Sequence, residues 1–222
     1  MEEELNNNEI TNLIPKTFFW MFLGLLGTAI MAWYTYSSGM FIDLIIGGTW
    51  QILLIVELVV VILFSALFKK LPAIAVGIMY FLYSMINGIT LSTVFVIFEL
   101  NSIIYLFLGS SAIFGILALI GYKTESDISN WRTVLTPVLI IGLILSVINL
   151  FIGSSTLDII LDWVILITFF GVTIYDMNKI KEMQYMEGID QSKIHIYGAM
   201  QLYLDFINIF LRILSLFGKR RR

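Results

Sequence analysis

Cysteine is absent from the 222 residues, which excludes a disulfide framework, a thiolate metal site and a cysteine nucleophile. Charge is scarce too: Asp, Glu, Lys and Arg make up 13% of the chain, where a soluble domain carries roughly a quarter. The N-terminus reads MEEELNNNEI. A secretory signal peptide needs a basic leader there, so the first apolar run is expected to stay in the protein as a span. Kinase, nuclease, dinucleotide-binding and zinc-protease signatures are missing. No convincing internal repeat or low-complexity tract occurs, so an inverted-repeat transporter is not supported. The net charge of −3 says little about partners.

What is present is apolar. Hydrophobic residues are 59% of the chain and mean hydropathy is +0.94, the composition of an all-α integral membrane protein. Runs of spanning length lie at Thr17 to Ser37, Ile45 to Phe68, Pro72 to Phe98, Ser102 to Tyr122, Thr133 to Ile152, Leu157 to Ile180 and Ile194 to Phe217, which predicts seven transmembrane helices. The connections carry Ser38-Gly39, Lys69 to Pro72, Glu99 to Asn101, Lys123 to Asn130, Gly153 to Ser155 and Asn178 to Lys193, the punctuation expected between spans. The expected organisation is an N-terminal segment at 1–16, one seven-helix membrane domain at 17–217 and a basic tail at 218–222. Lys16, Lys69, Lys70, Lys123, Arg132, Lys179, Lys181 and Lys193 fall in the N-terminal segment or in the second, fourth and sixth connections. The first, third and fifth connections have no Lys or Arg, so the N-terminus is expected in the cytoplasm. Seven crossings then put Lys219 to Arg222 outside, against the same rule. A re-entrant last segment would remove the conflict, but the final run is long enough to cross and seven full spans are preferred.

Two aspartates stand inside apolar runs, Asp176 in VTIYDMNKI and Asp205 in MQLYLDFINIFLRIL. An ionised carboxylate in hydrocarbon costs several kcal/mol, so an acid kept there faces a partner, a cavity or an ion path. If the sixth span enters near Trp163, after the exposed acids Asp158 and Asp162, a rise of ~1.5 Å per residue puts Asp176 roughly 20 Å deep. A seventh span that starts near Ile194 carries Asp205 about 16 Å in from the other side. The two levels differ by only about 6 Å in a ~30 Å core, which allows a direct carboxyl pair. Glu57 is the only acid deep in the second span. Its plain reading is an interhelical hydrogen bond or a protonated carboxyl. Asp205, Asn208 and Arg212 are three and four residues apart and share a helix face. Arg212 either screens Asp205 or, the preferred reading, extends to the outer interface. His195, the single histidine, reads as a solvated interfacial residue. Trp20, Trp50, Trp131 and Trp163 read as interface anchors, and Gly24, Ser111 and Gly115 as small packing faces.

The block Ile174-Tyr175-Asp176-Met177-Asn178-Lys179-Ile180, followed by Gln201 to Leu214 with its LYLDFIN core, and the run Asn87 to Ser92 (NGITLS), resemble the Bax inhibitor-1 family, bacterial members included. The resemblance covers nearly the whole chain. It implies six helices around a central C-terminal helix and a bacterial plasma-membrane location. It also implies a pH-sensitive calcium leak gated by the pair matching Asp176 and Asp205, with Glu57, Asp205 and Asn208 along the ion path. Lys69 or Lys70 would latch the pair, or simply snorkel as positive-inside residues do. Two carboxylates close together in low dielectric share a proton and titrate as one coupled unit, and losing that proton turns a hydrogen bond into repulsion. The same oxygens suit calcium. Two acids are too few for a tight site, so only weak, transient coordination is expected. The expected partners are calcium, protons and the lipid bilayer, with no nucleic acid, no cofactor beyond the permeant ion and no enzymatic activity. One alternative is a non-conducting interaction or regulatory protein of the membrane, although no large partner-binding loop is present. An intramembrane aspartyl protease would share the two buried acids and the Tyr175-Asp176 motif, but its Gly-x-Gly-Asp motif is replaced by Leu202-Tyr203-Leu204 before Asp205.

Reporter fusions after Lys16 and after Arg222 are expected on opposite sides of the membrane. Both reporters on the cytoplasmic side would reject seven crossings.

Overall fold

The computed structural model describes residues 13–183 and 191–221. The structured parts are α1 (Leu13–Ser37), α2 (Met40–Ile46), α3 (Thr49–Leu67), α4 (Ala73–Ile97), α5 (Leu100–Lys123), α6 (Trp131–Ile152), α7 (Ser155–Met183) and α8 (Gln191–Phe217). No strand occurs among the described residues. All of these helices except α2 are long and apolar enough to cross a membrane, giving the seven spans expected. Residues 1–12 of the expected N-terminal segment, 184–190 of the sixth connection and Arg222 of the basic tail lie outside the described residues.

The second span departs from expectation. Ile45 belongs to α2, a helix of seven residues that reaches only about 10 Å, and the span itself starts at Thr49. The reason is local. Gly39 and Gly48 flank α2 with φ of 77° and 68°, a left-handed backbone that residues with a Cβ rarely adopt. An apolar run reads through these turns, whereas the backbone does not. Of the other spans, all but α4, which is one residue shorter at each end, extend a few residues beyond the apolar runs. Pro72 stands just before α4, with φ −67° and ψ 156°, where its missing N–H is no loss. In the connection between α5 and α6, Asp127 accepts a hydrogen bond from the Ser129 N–H at 2.9 Å, which holds its carboxyl below the usual carboxylate range.

The described residues form two compact units. The first takes in α1 to α4 and α8 as far as Tyr203; the second takes in α5, α6, α7 to Lys181 and α8 from Leu204 to Phe217.

In the first unit, Tyr80 is fully buried and donates its hydroxyl to the Trp20 carbonyl at 3.0 Å. Its phenol ring occupies the space that a side chain at Gly24 would need. Gly88 sits against the backbone of α1, where a Cβ would fall 2.5 Å from the Thr28 carbonyl oxygen and 2.8 Å from Met31 Cβ. Tyr197 stacks on Phe68 with ring centroids 4.3 Å apart. Lys193 is buried and donates to the carbonyls of Lys69 at 3.0 Å and Leu71 at 2.8 Å, supplying a cation where the chain leaving α3 presents unpaired carbonyls.

In the second unit, Phe206 meets Phe107 and Phe114 edge-on. Gly121 lets α5 approach the Ile174 carbonyl of α7. Lys181 and Asn178 donate to the Thr124 carbonyl at 2.6 and 2.9 Å, closing the end of α5. Gly115 does not serve as a packing face: a Cβ there would meet nothing within 4 Å. Close helix approach falls to Gly88 and Gly121 instead.

Gly88→Val is therefore expected to lower stability by about 1–3 kcal/mol through overpacking, seen as a lower melting temperature in detergent. Gly115→Val, in open space, should leave that temperature nearly unchanged.

Candidate functional site

A carboxyl removed from water must find donors, a cation or a proton. Glu57, Asp162 and Asp205 are buried, with exposures of 8%, 5% and 2%, and each meets that demand differently.

Glu57, in the first unit, is held by neutral donors from α4. Thr90 Oγ1 donates to Oε1 at 2.5 Å and Asn87 Nδ2 donates to Oε2 at 3.2 Å. Asn87 and Thr90 are three residues apart, so one helix face presents both donors. The polar path continues. Tyr203 donates its hydroxyl to Asn87 Oδ1 at 3.0 Å, and the same hydroxyl lies 2.6 Å from Thr28 Oγ1. Thr28 Oγ1 is in turn 2.9 Å from the Ser84 carbonyl oxygen. A chain of hydrogen-bonding groups thus joins α3, α4, α8 and α1 around Glu57. The roles of Asn87, Thr90, Tyr203 and Thr28 were not foreseen, although polar residues at i and i+3 inside an apolar span were a signal for two of them.

Asp162, in the second unit, corrects the sequence reading, which had it exposed. It forms an ion pair with Arg212 Nη1 at 2.7 Å and accepts a hydrogen bond from Ser215 Oγ at 2.5 Å. Arg212 pairs with Asp162 near the start of α7, the helix end toward which the preferred reading extends it, rather than with Asp205. Asp158 is exposed as expected, and accepts from Asn149 Nδ2 at 2.5 Å.

Asp176 and Asp205 lie in the same unit, on helices whose pairing can be counted. Trp163 and Phe217 pack edge-on with ring centroids 5.8 Å apart, joining the start of α7 to the end of α8, so the two run antiparallel. Thirteen residues on from Trp163 is Asp176; thirteen residues back from Phe217 is Leu204, the neighbour of Asp205. Counting instead from the Asp162–Ser215 contact places Asp176 four residues from the level of Asp205. Either count leaves an axial offset of roughly 2–6 Å at the helical rise. Asp205 Oδ2 is buried with no hydrogen-bond donor among the described residues. A carboxyl oxygen in that condition can hold a proton or coordinate a cation.

The remaining predicted residues are placed as follows. Asn208 is half-buried and donates back to the Leu204 carbonyl of its own helix at 2.8 Å. Lys69 and Lys70 have exposed side chains, and it is the carbonyl of Lys69 that Lys193 engages. His195 is half-buried, its ring 6.1 Å from that of Trp20. Trp131 and Trp163 are exposed near the starts of α6 and α7, while Trp20 packs inward on Tyr80 and Phe81. No group of three or more His, Cys, Asp or Glu able to hold a metal ion occurs among the described residues.

The family model for the inhibitor of apoptosis-promoting Bax1 matches residues 10–222. The inner membrane protein YbhL of Escherichia coli strain K12 is 36% identical over 214 residues, covering 94% of this chain and 92% of that protein. Rickettsia prowazekii RP147 is 32% identical over 209 residues, with 93% and 89% covered. A Borreliella burgdorferi protein is 29% identical over 213 residues, with 94% and 92% covered.

Thr90→Val keeps the shape of the side chain but removes the shorter of the two hydrogen bonds to Glu57. It is expected to cost about 1–3 kcal/mol, measured as a lower melting temperature of the purified protein. An unchanged melting temperature would show that the Glu57 network contributes little to stability.

Proposed function

This chain belongs to the Bax inhibitor-1 family, and we propose that within this family of multi-pass membrane proteins it acts as a pH-sensitive calcium leak gated by Asp176 and Asp205. The observation that carries the proposal is the buried, donorless Oδ2 of Asp205 on a helix that runs antiparallel past Asp176. With one proton between them the two carboxyls attract; without it they repel. That change of sign acts between α7 and α8 and biases any equilibrium between two packings of these helices. Calcium competes with the proton for the same oxygens, and a pair of carboxylates gives the weak coordination that permits release.

Glu57 and Asn208 are the further oxygen ligands of the proposed path. The oxygens of Glu57 are engaged by Asn87 and Thr90, whose own side-chain oxygens are hard ligands too. A cation arriving there would exchange hydrogen bonds for coordination without entering bare hydrocarbon. The central position of α8 belongs to the same proposal, supported by the burial of 56% of its spanning window, the highest share among the spans.

The test is calcium flux into liposomes that contain the purified protein, scanned over pH. Asp176→Asn and Asp205→Asn should each abolish most of the pH dependence, and the double variant should add little to either. Additive effects would show two independent groups. No flux by the parent protein at any pH would favour the non-conducting, regulatory reading.

A further inference from the structure

At the end of the second unit where α7 starts and α8 finishes, a cavity of about 520 Å³ opens beside the Asp162–Arg212 pair. Its volume falls within the range of about 300–1,000 Å³ typical of small-molecule sites. The lining is divided by sign. α7 contributes Asp158 and Asp162, while α8 and the residues just after it contribute Arg212 and Arg220. Each wall also carries one large aromatic side chain, Trp163 on the acidic side and Phe217 on the basic side, both exposed and packed edge to face.

The inner pair of charges is already neutralised by the 2.7 Å contact between Arg212 and Asp162. The outer pair is not. Asp158 is engaged through Oδ1 by Asn149, and the Arg220 side chain has no ion-pair or hydrogen-bond partner among the described residues. Arg212 Nε is also buried without an acceptor. The cavity therefore offers an unspent carboxylate on one wall and the unspent guanidinium of Arg220 on the other, with a formal lining charge of zero from its two acids and two arginines.

We propose that this cavity binds the headgroup of a zwitterionic, amine-bearing phospholipid, with the ammonium at Asp158 and the phosphate at Arg220 and Arg212. A zwitterion laid across the two walls satisfies both and leaves the site neutral. An anionic headgroup satisfies the arginines but leaves a net negative charge beside two carboxylates. A primary ammonium brings N–H donors to Asp158 that a trimethylammonium lacks. The source is the bilayer: Ser155 is the first residue of α7 and Phe217 the last of α8, so the site lies at the depth where spans end and headgroups begin. Trp163 and Phe217 are the apolar rim over which acyl chains leave.

The test uses the full-length protein in detergent and native mass spectrometry. The probes are short-chain phosphatidylethanolamine, phosphatidylcholine and phosphatidylglycerol of identical acyl length, together with phosphoethanolamine alone. Phosphatidylethanolamine should bind about tenfold more tightly than phosphatidylglycerol, and Arg220→Gln should weaken it by about tenfold, the loss expected for one charge-assisted hydrogen bond. Arg220 is exposed and unpaired, so this variant should keep the parent melting temperature. Asp158→Asn should remove the preference for the ethanolamine over the choline headgroup. Three results would each overturn the proposal: equal or tighter binding of phosphatidylglycerol, unchanged phosphatidylethanolamine binding in Arg220→Gln, or binding of free phosphoethanolamine as tight as that of the lipid.

Discussion

Most of the interior of this protein is organised by the cost of keeping a carboxyl group out of water, which amounts to several kcal/mol for each one left without a partner. Glu57 is held by neutral donors and Asp162 by a guanidinium and a hydroxyl, while Asp205 keeps one oxygen, Oδ2, that meets no donor among the described residues. The three solutions differ in what they permit. A carboxyl held by Asn and Thr can exchange them for other polar groups at modest cost, whereas one locked to Arg212 is fixed unless both charges move together. A carboxyl with one oxygen that no donor meets can take up a proton or a cation there.

The polar groups that meet these demands decide which helices are enclosed. The span window of α3 has a mean hydropathy of 2.5 and is 11% buried, while that of α8 has 1.4 and is 56% buried. α8 supplies Tyr203 to the Glu57 network, Arg212 and Ser215 to Asp162, and carries Asp205 itself. In a bilayer apolar side chains gain nothing from leaving the lipid, so it is the least apolar helix that is drawn inward. Phe151 and Ile46, 88% and 81% exposed, show the other side of this inversion: large apolar residues stand on the surface, which costs nothing where a surface meets lipid.

Seven spans were legible because an apolar run of about twenty residues is the length that a helix needs to cross the hydrocarbon core. Their ends were less so. Ile45 to Gly48 continues the hydrophobicity of the second span, and only the left-handed backbone at Gly48 separates α2 from α3. The acids Asp176 and Asp205 were visible as charge inside hydrocarbon, and their levels were computable from helical rise alone. The burial of Asp162 was not. It lies at the start of a span, where exposure is the default, and what encloses it is Arg212, fifty residues further along the chain. Counting from one end of a helix places a residue in depth but leaves open which neighbour it faces. For Glu57 the reverse held: its depth was plain, and its partners Asn87 and Thr90 were marked only by sharing one face of α4.

Local consistency also distinguishes structure from function among these groups. Natural sequences satisfy buried polar atoms almost everywhere, and exceptions concentrate where a protein must change state or bind something. Among the described residues the buried side-chain atoms left without a partner are Thr35 Oγ1, Ser92 Oγ, Asp205 Oδ2 and Arg212 Nε. The two hydroxyls are neutral and tolerate the condition at small cost. The other two belong to ionisable side chains seven residues apart on α8, so both lie along one side of the helix. One belongs to Asp205 and the other to the residue that walls the cavity at the helix end. A single helix therefore carries both of the ionisable buried atoms left without a partner among the described residues, an acceptor in Asp205 and a donor in Arg212.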